Sequence, residues 1–266
     1  VRFQNQKLSP GLRIMFRKRY LLWLFFCLLL SSCVTAPKPS GPIEIYPKIS
    51  VPVLRQDIIH VVSPGETLWR ISKMYDVNME DIIRANNIKD PQSLERGQRL
   101  LIPNAAPLRP VIPLFPSDKW KYIIIHHSAT DVGNGLSIFD LHIKRGFQGT
   151  GYHFVIDNGT EGKLDGQIEA TPRWINQRDG AHCRASGMNY KGIGICLVGN
   201  FSKERVSQKQ LESLVYLVNI LRDYYHIPLK NILGHGQVPG ARTECPGKNF
   251  PWGEFYSLLL KEEKKR

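Results

Sequence analysis

A histidine and a cysteine lie ten positions apart in the Gly/Pro-rich stretch Gly234-His235-Gly236-Gln237-Val238-Pro239-Gly240-Ala241-Arg242-Thr243-Glu244-Cys245-Pro246-Gly247, directly after the apolar run Asn231-Ile232-Leu233. Imidazole and thiolate are a donor pair well suited to Zn2+. A strand that ends in such a loop can bring both side chains to one point. A second stretch, Tyr122-Ile123-Ile124-Ile125-His126-His127-Ser128-Ala129-Thr130, ends an apolar strand in histidine, and a third, Gly151-Tyr152-His153-Phe154-Val155-Ile156, carries a tyrosine and another histidine. Three N/S donors with one open position are the usual makeup of a hydrolytic zinc site. On an extended chain His127 faces away from His126, and His153 faces away from Tyr152 and is assigned a structural part. The isolated His60, His142 and His226 are expected as surface or satisfied core residues.

Elements must deliver these groups. Tyr122 to Ile125 is wholly apolar, as expected of a strand buried on both faces. Leu136, Phe139, Leu141 and Ile143 suggest a short helix, and Phe154-Val155-Ile156 and Gly192 to Val198 are read as further strands. Ser207 and Gln210 form a capping-box pattern ahead of Leu211, Leu214, Val215, Val218 and Leu221 on one helical face. Trp252 to Lys264 is expected as a final amphipathic helix. Strands alternating with helices predict an α/β domain over 118–266, with helices flanking a mixed central sheet.

A smaller unit precedes it. In 57–103 a β-branched strand, Ile58-Ile59-His60-Val61-Val62, ends at the turn Ser63-Pro64-Gly65-Glu66. Leu68, Ile71 and Met74 keep helical spacing, and Asn78 is placed as N-cap of a second helix containing Ile82 and Ile83. Gln98 to Pro103 supplies a returning strand, giving β-α-α-β. The stretches 34–56 and 104–117 are proline-rich and aperiodic, and are expected as extended spacers.

The 266 residues carry a formal charge of +13, and Arg2, Lys7, Arg13, Arg17, Lys18 and Arg19 all precede position 33. Apolar content of 42% and charged content of 22% are those of a globular protein. The positive balance fits either plain solubility or an anionic polymer such as a bacterial wall, and no recognition motif points to nucleic acid. Arg17-Lys18-Arg19, the apolar run Tyr20 to Leu30 and Ser31-Ser32-Cys33 describe a secretory signal over 1–33. Its apolar core is about half of the ~20 residues a membrane span needs, with an uncleaved membrane anchor as the competing reading. Of five cysteines, Cys183, Cys196 and Cys245 belong to the folded part. With Cys245 on a metal, Cys183 and Cys196 are either a disulfide or two buried thiols, the latter preferred.

Three resemblances sharpen these expectations. Leu30-Ser31-Ser32-Cys33 resembles a bacterial lipobox, which implies lipidation of Cys33 and an exported, membrane-tethered protein facing the cell wall. Val62-Ser63-Pro64-Gly65-Glu66-Thr67-Leu68-Trp69 with Gly97-Gln98-Arg99-Leu100-Leu101-Ile102-Pro103 resembles a LysM module. That implies a glycan groove formed by Gly65, Glu66, Thr67, Asn86 and Asn87. His126 in Ile-His-His-Ser-Ala-Thr, Gly151-Tyr152-His153-Phe154, Gly180-Ala181-His182-Cys183 and Thr243-Glu244-Cys245-Pro246-Gly247 resemble the zinc N-acetylmuramoyl-L-alanine amidases, a family that includes phage amidase lysozymes and peptidoglycan recognition proteins.

This last resemblance implies Zn2+ as cofactor, held by His126, His235 and Cys245. It implies Tyr152 and Thr243 as catalytic groups, and His182, Asn189 and Arg242 as substrate contacts. Peptidoglycan is then the partner, of both its glycan strands and stem peptides, with a lipid anchor in the membrane, no nucleic acid, and a monomeric protein. Some relatives have lysine where Thr243 stands and glutamate where Cys196 stands, so the group that stabilises the transition state is left open and a glutamate base at position 196 is excluded. Three other readings use the same residues: a non-catalytic wall receptor, a structural lipoprotein that staples membrane to wall, and a thiol hydrolase with Cys245 as nucleophile and His235 as base.

Overall fold

The computed structural model describes residues 42–48 and 52–264. The expected signal segment, the lipobox with Cys33 and the start of the first proline-rich stretch lie outside the described residues. Among those described, no helix is long and apolar enough to cross a membrane.

Strand β1 (Ile43–Ile45) precedes the small domain, which runs β2 (Gln56–Val61), α1 (Leu68–Tyr75), α2 (Met79–Asn86) and β3 (Arg99–Ala105). β2 and β3 are antiparallel, with Ile58 opposite Ile102 and His60 opposite Leu100. The order is the expected β-α-α-β. Thr67 caps α1, its hydroxyl accepting from the Arg70 amide at 3.2 Å. Asn78 occupies the N-cap of α2 without a side-chain capping bond, so Glu80 and Asp81 in the first turn are left to offset the positive helix end. Leu68, Ile71, Met74, Ile82, Leu100 and Ile102 make a core of the domain's own.

β4 (Ile112–Leu114) pairs antiparallel with β1, and here the spacer expectation is corrected. Ile112 and Leu114 are buried in the core of the large domain. Trp174 Nε1 donates to the Pro113 carbonyl at 2.6 Å, and the Tyr225 hydroxyl donates to the Phe115 carbonyl at 2.9 Å. Proline is tolerated because the ribbon has only two strands and its outer edges need no ladder partner. The apolar residues between the prolines then bury. β1 serves both domains: Ile45 packs on the large core, Tyr46 on the small one, and Glu44 pairs with Arg70 at 3.4 Å.

The large domain continues β5 (Tyr122–His127), α3 (Gly135–Lys144), β6 (Phe154–Asn158), β7 (Asp165–Ala170), α4 (Pro172–Ile175), α5 (Met188–Lys191), β8 (Gly192–Leu197), α6 (Gln208–Tyr225), β9 (Ile232–Gly234) and α7 (Trp252–Lys264). Its five strands are ordered β7-β6-β8-β5-β9. Only β6 and β7 run antiparallel, so the sheet is mixed, as expected. β7 and α4 escaped the sequence reading, because Asp165-Gly166-Gln167 masks the start of the strand. α6 carries the expected capping box between Ser207 and Gln210. α3 forms where expected but buries Gly135, Ile138 and His142, leaving Leu141 and Ile143 exposed.

Strand alternation sorts the two faces of the sheet. Ile123, Ile125, Ile193, Ile195 and Leu197 join Leu211, Leu214, Leu217, Val218 and Leu221 of α6 in the main core. On the other face β5 presents Ile124 and His126, while β8 presents Gly192, Gly194 and Cys196, whose small side chains leave space above the sheet.

The described residues form one compact unit, and buried polar groups join its domains. Lys163 Nζ donates to the Val61 carbonyl at 2.8 Å and to Ser63 Oγ at 2.6 Å, and pairs with Glu169 at 3.2 Å. The Ser63 hydroxyl donates to Glu169, whose other oxygen accepts from the Gly135 amide at 2.6 Å. Arg96 lies over the Phe139 ring at 4.8 Å. Gly65 takes a positive φ of 81° in its turn and sits against Pro172.

Candidate metal centre

β5 and β9 are parallel neighbours, so residues just beyond their C-terminal ends emerge on the same side. His126 lies at the end of β5. His235 begins the 3-10 turn that follows β9. The loop then returns, and the Gly236 amide donates to the Cys245 carbonyl at 2.7 Å. The donor atoms of His126, His235 and Cys245 all fall within 4.8 Å of one another. Cys245 Sγ is 3.7 Å from His126 Nδ1, and the His127 amide donates to the same sulfur at 3.4 Å. The His126 and His235 ring centroids are 4.7 Å apart.

Electrostatics keep the imidazoles neutral. Burial, and then the neighbouring His182 and His235, hold His126 well below the usual histidine range. Burial also lowers His235. The Cys245 thiol is pushed up to about 12, chiefly by burial. Two neutral imidazoles and a buried sulfur that gives up its proton only to a cation fit a zinc-type ion, whose binding releases that proton.

Tyr152 stands beside this cluster, its ring 5.1 Å from that of His126. Its backbone is pinned on three sides. The Gly151 amide donates to His142 Nδ1 at 2.9 Å, the Ala181 amide donates to the Gly151 carbonyl at 2.9 Å, and the Thr171 hydroxyl donates to the Tyr152 carbonyl at 2.7 Å. Burial, and next Cys196 and Cys245, hold the phenol well above its ordinary pKa, so it remains a donor. Thr243 Oγ1 accepts from the Cys245 amide at 3.2 Å, which leaves its own proton to give. Thr243 and Cys245 line a cavity of about 330 Å3 with Gly236, Gln237, Lys248 and Trp252.

The family model described as N-acetylmuramoyl-L-alanine amidase matches residues 116–248, half of the chain. The chain belongs to the N-acetylmuramoyl-L-alanine amidase family. A LysM domain model matches residues 60–103 of the same chain. The chain is 32% identical to the endolysin of Escherichia phage T7 over 154 residues, 53% of this chain and 89% of the phage protein. It is 35% identical to peptidoglycan-recognition protein 2 of Holotrichia diomphalia over 102 residues, 35% of this chain, and spans 49% of that protein's length. Among solved structures, an endolysin N-acetylmuramoyl-L-alanine amidase from Clostridium intestinale is 34% identical, covering 53% of this chain and 84% of that one, with a TM-score of 0.45.

Within the amidase domain the structure gathers His126, His235, Cys245, Tyr152 and Thr243 in one region. Two expected substrate contacts are differently employed. His182 is buried, with Nδ1 3.0 Å from His126 Nε2 and Nε2 3.2 Å from the Gly192 carbonyl. Asn189 Oδ1 accepts from the amides of His182 and Cys183 at 2.9 and 2.8 Å, so it shapes that loop. Arg242 is exposed on the loop that carries Cys245. His127 turns away, as expected, and its Nδ1 accepts from the Phe201 amide at 3.1 Å. His153 is spent on the Gly194 amide and the Arg178 carbonyl. Cys183 and Cys196 are free, buried thiols.

In the LysM module, Glu66 is engaged internally, accepting from the Ser63 amide at 2.6 Å and lying 2.9 Å from His60 Nε2. Asn86 bridges α2 to β3, donating to the Ile82 and Leu101 carbonyls and accepting from the Leu101 amide. Gly65 faces the amidase domain. Of the five expected groove residues, Thr67 and Asn87 offer exposed polar side chains that these bonds do not consume. Sequence reasoning expected His142 as a surface or satisfied core residue, which it is, but missed that it orients the Gly151-Tyr152 step. It also missed Lys163 and Glu169 at the seam. Nothing in the local spacing marks any of the three, since each acts across an element boundary.

Proposed function

We propose that this protein is a peptidoglycan hydrolase that cleaves the amide between N-acetylmuramic acid and the L-alanine of the stem peptide, using Zn2+ held by His126, His235 and Cys245. The observation that carries this reading is the convergence of those three donors within 4.8 Å in a chain of this family. Zn2+ bound there would supply Lewis acidity for the scissile carbonyl and for a water.

The chain's own groups do the rest. The His127 amide hydrogen bond helps Cys245 Sγ carry negative charge. The Tyr152 phenol, kept protonated, donates to the carbonyl oxygen as charge builds on it, and Thr243 Oγ1 offers a second proton from the cavity wall beside Cys245. Because these donors are fixed by backbone hydrogen bonds before substrate arrives, little reorganisation is required. Cys196 in place of a carboxylate means that this position supplies no base. A thiolate nucleophile is disfavoured, because burial raises the Cys245 pKa where such chemistry requires a lowered one.

The LysM module supports glycan binding, with Thr67 and Asn87 as polar contacts. Export and lipid attachment at Cys33 rest on the pattern Leu30-Ser31-Ser32-Cys33 after a basic and then an apolar segment. The test is digestion of purified peptidoglycan by the zinc-loaded protein, followed by mass spectrometry. Free stem peptides beginning in alanine, with glycan strands intact, are the expected products. Disaccharide-peptide fragments, or no release at all, would refute the reading.

A further inference from the structure

His182 is expected from the family pattern to touch substrate, yet its two ring nitrogens are fully committed inside the protein. Its Nε2 lies 3.2 Å from the Gly192 carbonyl. A carbonyl only accepts, so Nε2 must carry the proton. An imidazolium sealed among other imidazoles and glycine backbone would be an uncompensated buried charge, so the ring is neutral and Nδ1 bears a lone pair. His126 Nε2 sits 3.0 Å from that lone pair. It must therefore donate, which leaves the lone pair of His126 on Nδ1, the atom 3.7 Å from Cys245 Sγ.

We infer that His182 is a positioning residue that fixes the tautomer and ring orientation of His126, through a relay from the Gly192 carbonyl to His182 and on to His126 Nε2. The relay is built into the chain. A Cβ on Gly180 or Gly194 would overlap the His182 ring, so both glycines make room for it. The His182 and Cys183 amides are held by Asn189 Oδ1, which sets the loop, and the His182 ring meets that of His126 edge-on at 4.9 Å and 80°. A metal-ligating histidine with its second nitrogen anchored in this way offers one nitrogen only, already aimed. The consequence for zinc rests on the metal-site reading above; the tautomer itself does not.

The test has two arms. In metal-free, 15N-labelled full chain, long-range nitrogen–proton spectra of the histidine rings report which nitrogen is protonated. The expected result is His126 protonated on Nε2 and His182 on Nε2 in the native protein, with His126 losing this single state in His182→Ala. In His182→Gln the amide oxygen and nitrogen are spaced like the two ring nitrogens, so the native tautomer of His126 should return. Zn2+ affinity, measured by chelator competition, should fall about 10- to 100-fold in His182→Ala and recover in His182→Gln. His126 protonated on Nδ1 in the native protein would overturn the inference. So would His182→Ala with unchanged tautomer and unchanged Zn2+ affinity. Should His182→Ala fail to fold, the native spectrum and the glutamine variant still decide it. Intact tautomers with no peptidoglycan hydrolysis would refute the amidase reading alone.

Discussion

Lys163 of the amidase domain donates to Ser63 of the LysM module across 2.6 Å, with both groups buried. Glu169 closes the triangle by pairing with Lys163 and accepting from Ser63. Asp157 is buried nearby, beside Glu169. Burial first, and then Glu169, raise its pKa well above the ordinary carboxyl value, so it sits there protonated. Among the described residues, the Lys163 ammonium is the cation that pairs with Glu169 in this seam.

Removing that cation strands a buried carboxylate. Lys163→Met is expected to destabilise the protein by about 3–5 kcal/mol, the cost of breaking a buried pair on one side only. Urea unfolding measures it, and an unchanged midpoint and slope would show that the seam contributes nothing. Limited proteolysis should cut between the modules faster in this variant than in the native chain.

Acid should weaken the LysM module through Glu66. Burial alone would raise its pKa, but His60, Lys163 and the Ser63 amide together bring it down to about 2 from an ordinary value of 4.5. The folded pKa is therefore depressed. Its stabilising contribution is complete above pH 4.5 and is lost as the pH falls towards 2, on the order of 3 kcal/mol in all. Thermal unfolding of native protein and Glu66→Gln across this window should converge at the acid end. Parallel curves would exclude this role for Glu66.

Cys245→Ser should keep the fold and lose the metal. The expected fall in Zn2+ affinity exceeds the roughly 10- to 100-fold typical of outer-shell changes, with hydrolysis abolished and far-ultraviolet circular dichroism unchanged. Native-level hydrolysis in this variant would end the assignment of Cys245 as a ligand.

Tyr152→Phe separates the oxyanion donor from the ligands. Its kcat should drop by about 100- to 1,000-fold, the usual cost of one such donor, while Zn2+ affinity stays native. A parallel loss of Zn2+ would make the phenol part of the metal site.

Asn86→Ala is expected to act on stability, since three internal hydrogen bonds to the Ile82 and Leu101 backbone depend on that side chain. A loss of about 1–3 kcal/mol follows from leaving those groups unsatisfied. Asn87, exposed at the end of the same helix, is the position where substitution should reduce glycan binding and leave the unfolding midpoint nearly unmoved. Equal effects at both positions would contradict this division.

Much of the architecture was legible because it depends on local pattern. Apolar Ile123 to Ile125, the Ser207–Gln210 capping box and the small-domain order each carry their signal within a few residues. The cluster of donors was legible for the same reason, since His126, His235 and Cys245 mark the ends of recognisable runs and come together in the structure. What stayed hidden depends on partners distant in sequence. Leu114 is buried only because Trp174 and Tyr225 hold the backbone on either side of it, so proline composition alone suggested slack chain. Glu66 and Asn86 look like polar surface until β2, β3 and the seam are assembled around them. His182 carried a family signature for the cleft, but its ring hydrogen bonds go to His126 on β5 and to the Gly192 carbonyl on β8, both on other elements.

The β1–β4 ribbon and the lysine seam tie the small module to the amidase domain through buried contacts. Under the proposed function, a sugar strand held by the module would then present its stems to the cleft at a spacing set by those contacts, like work held in a gauge.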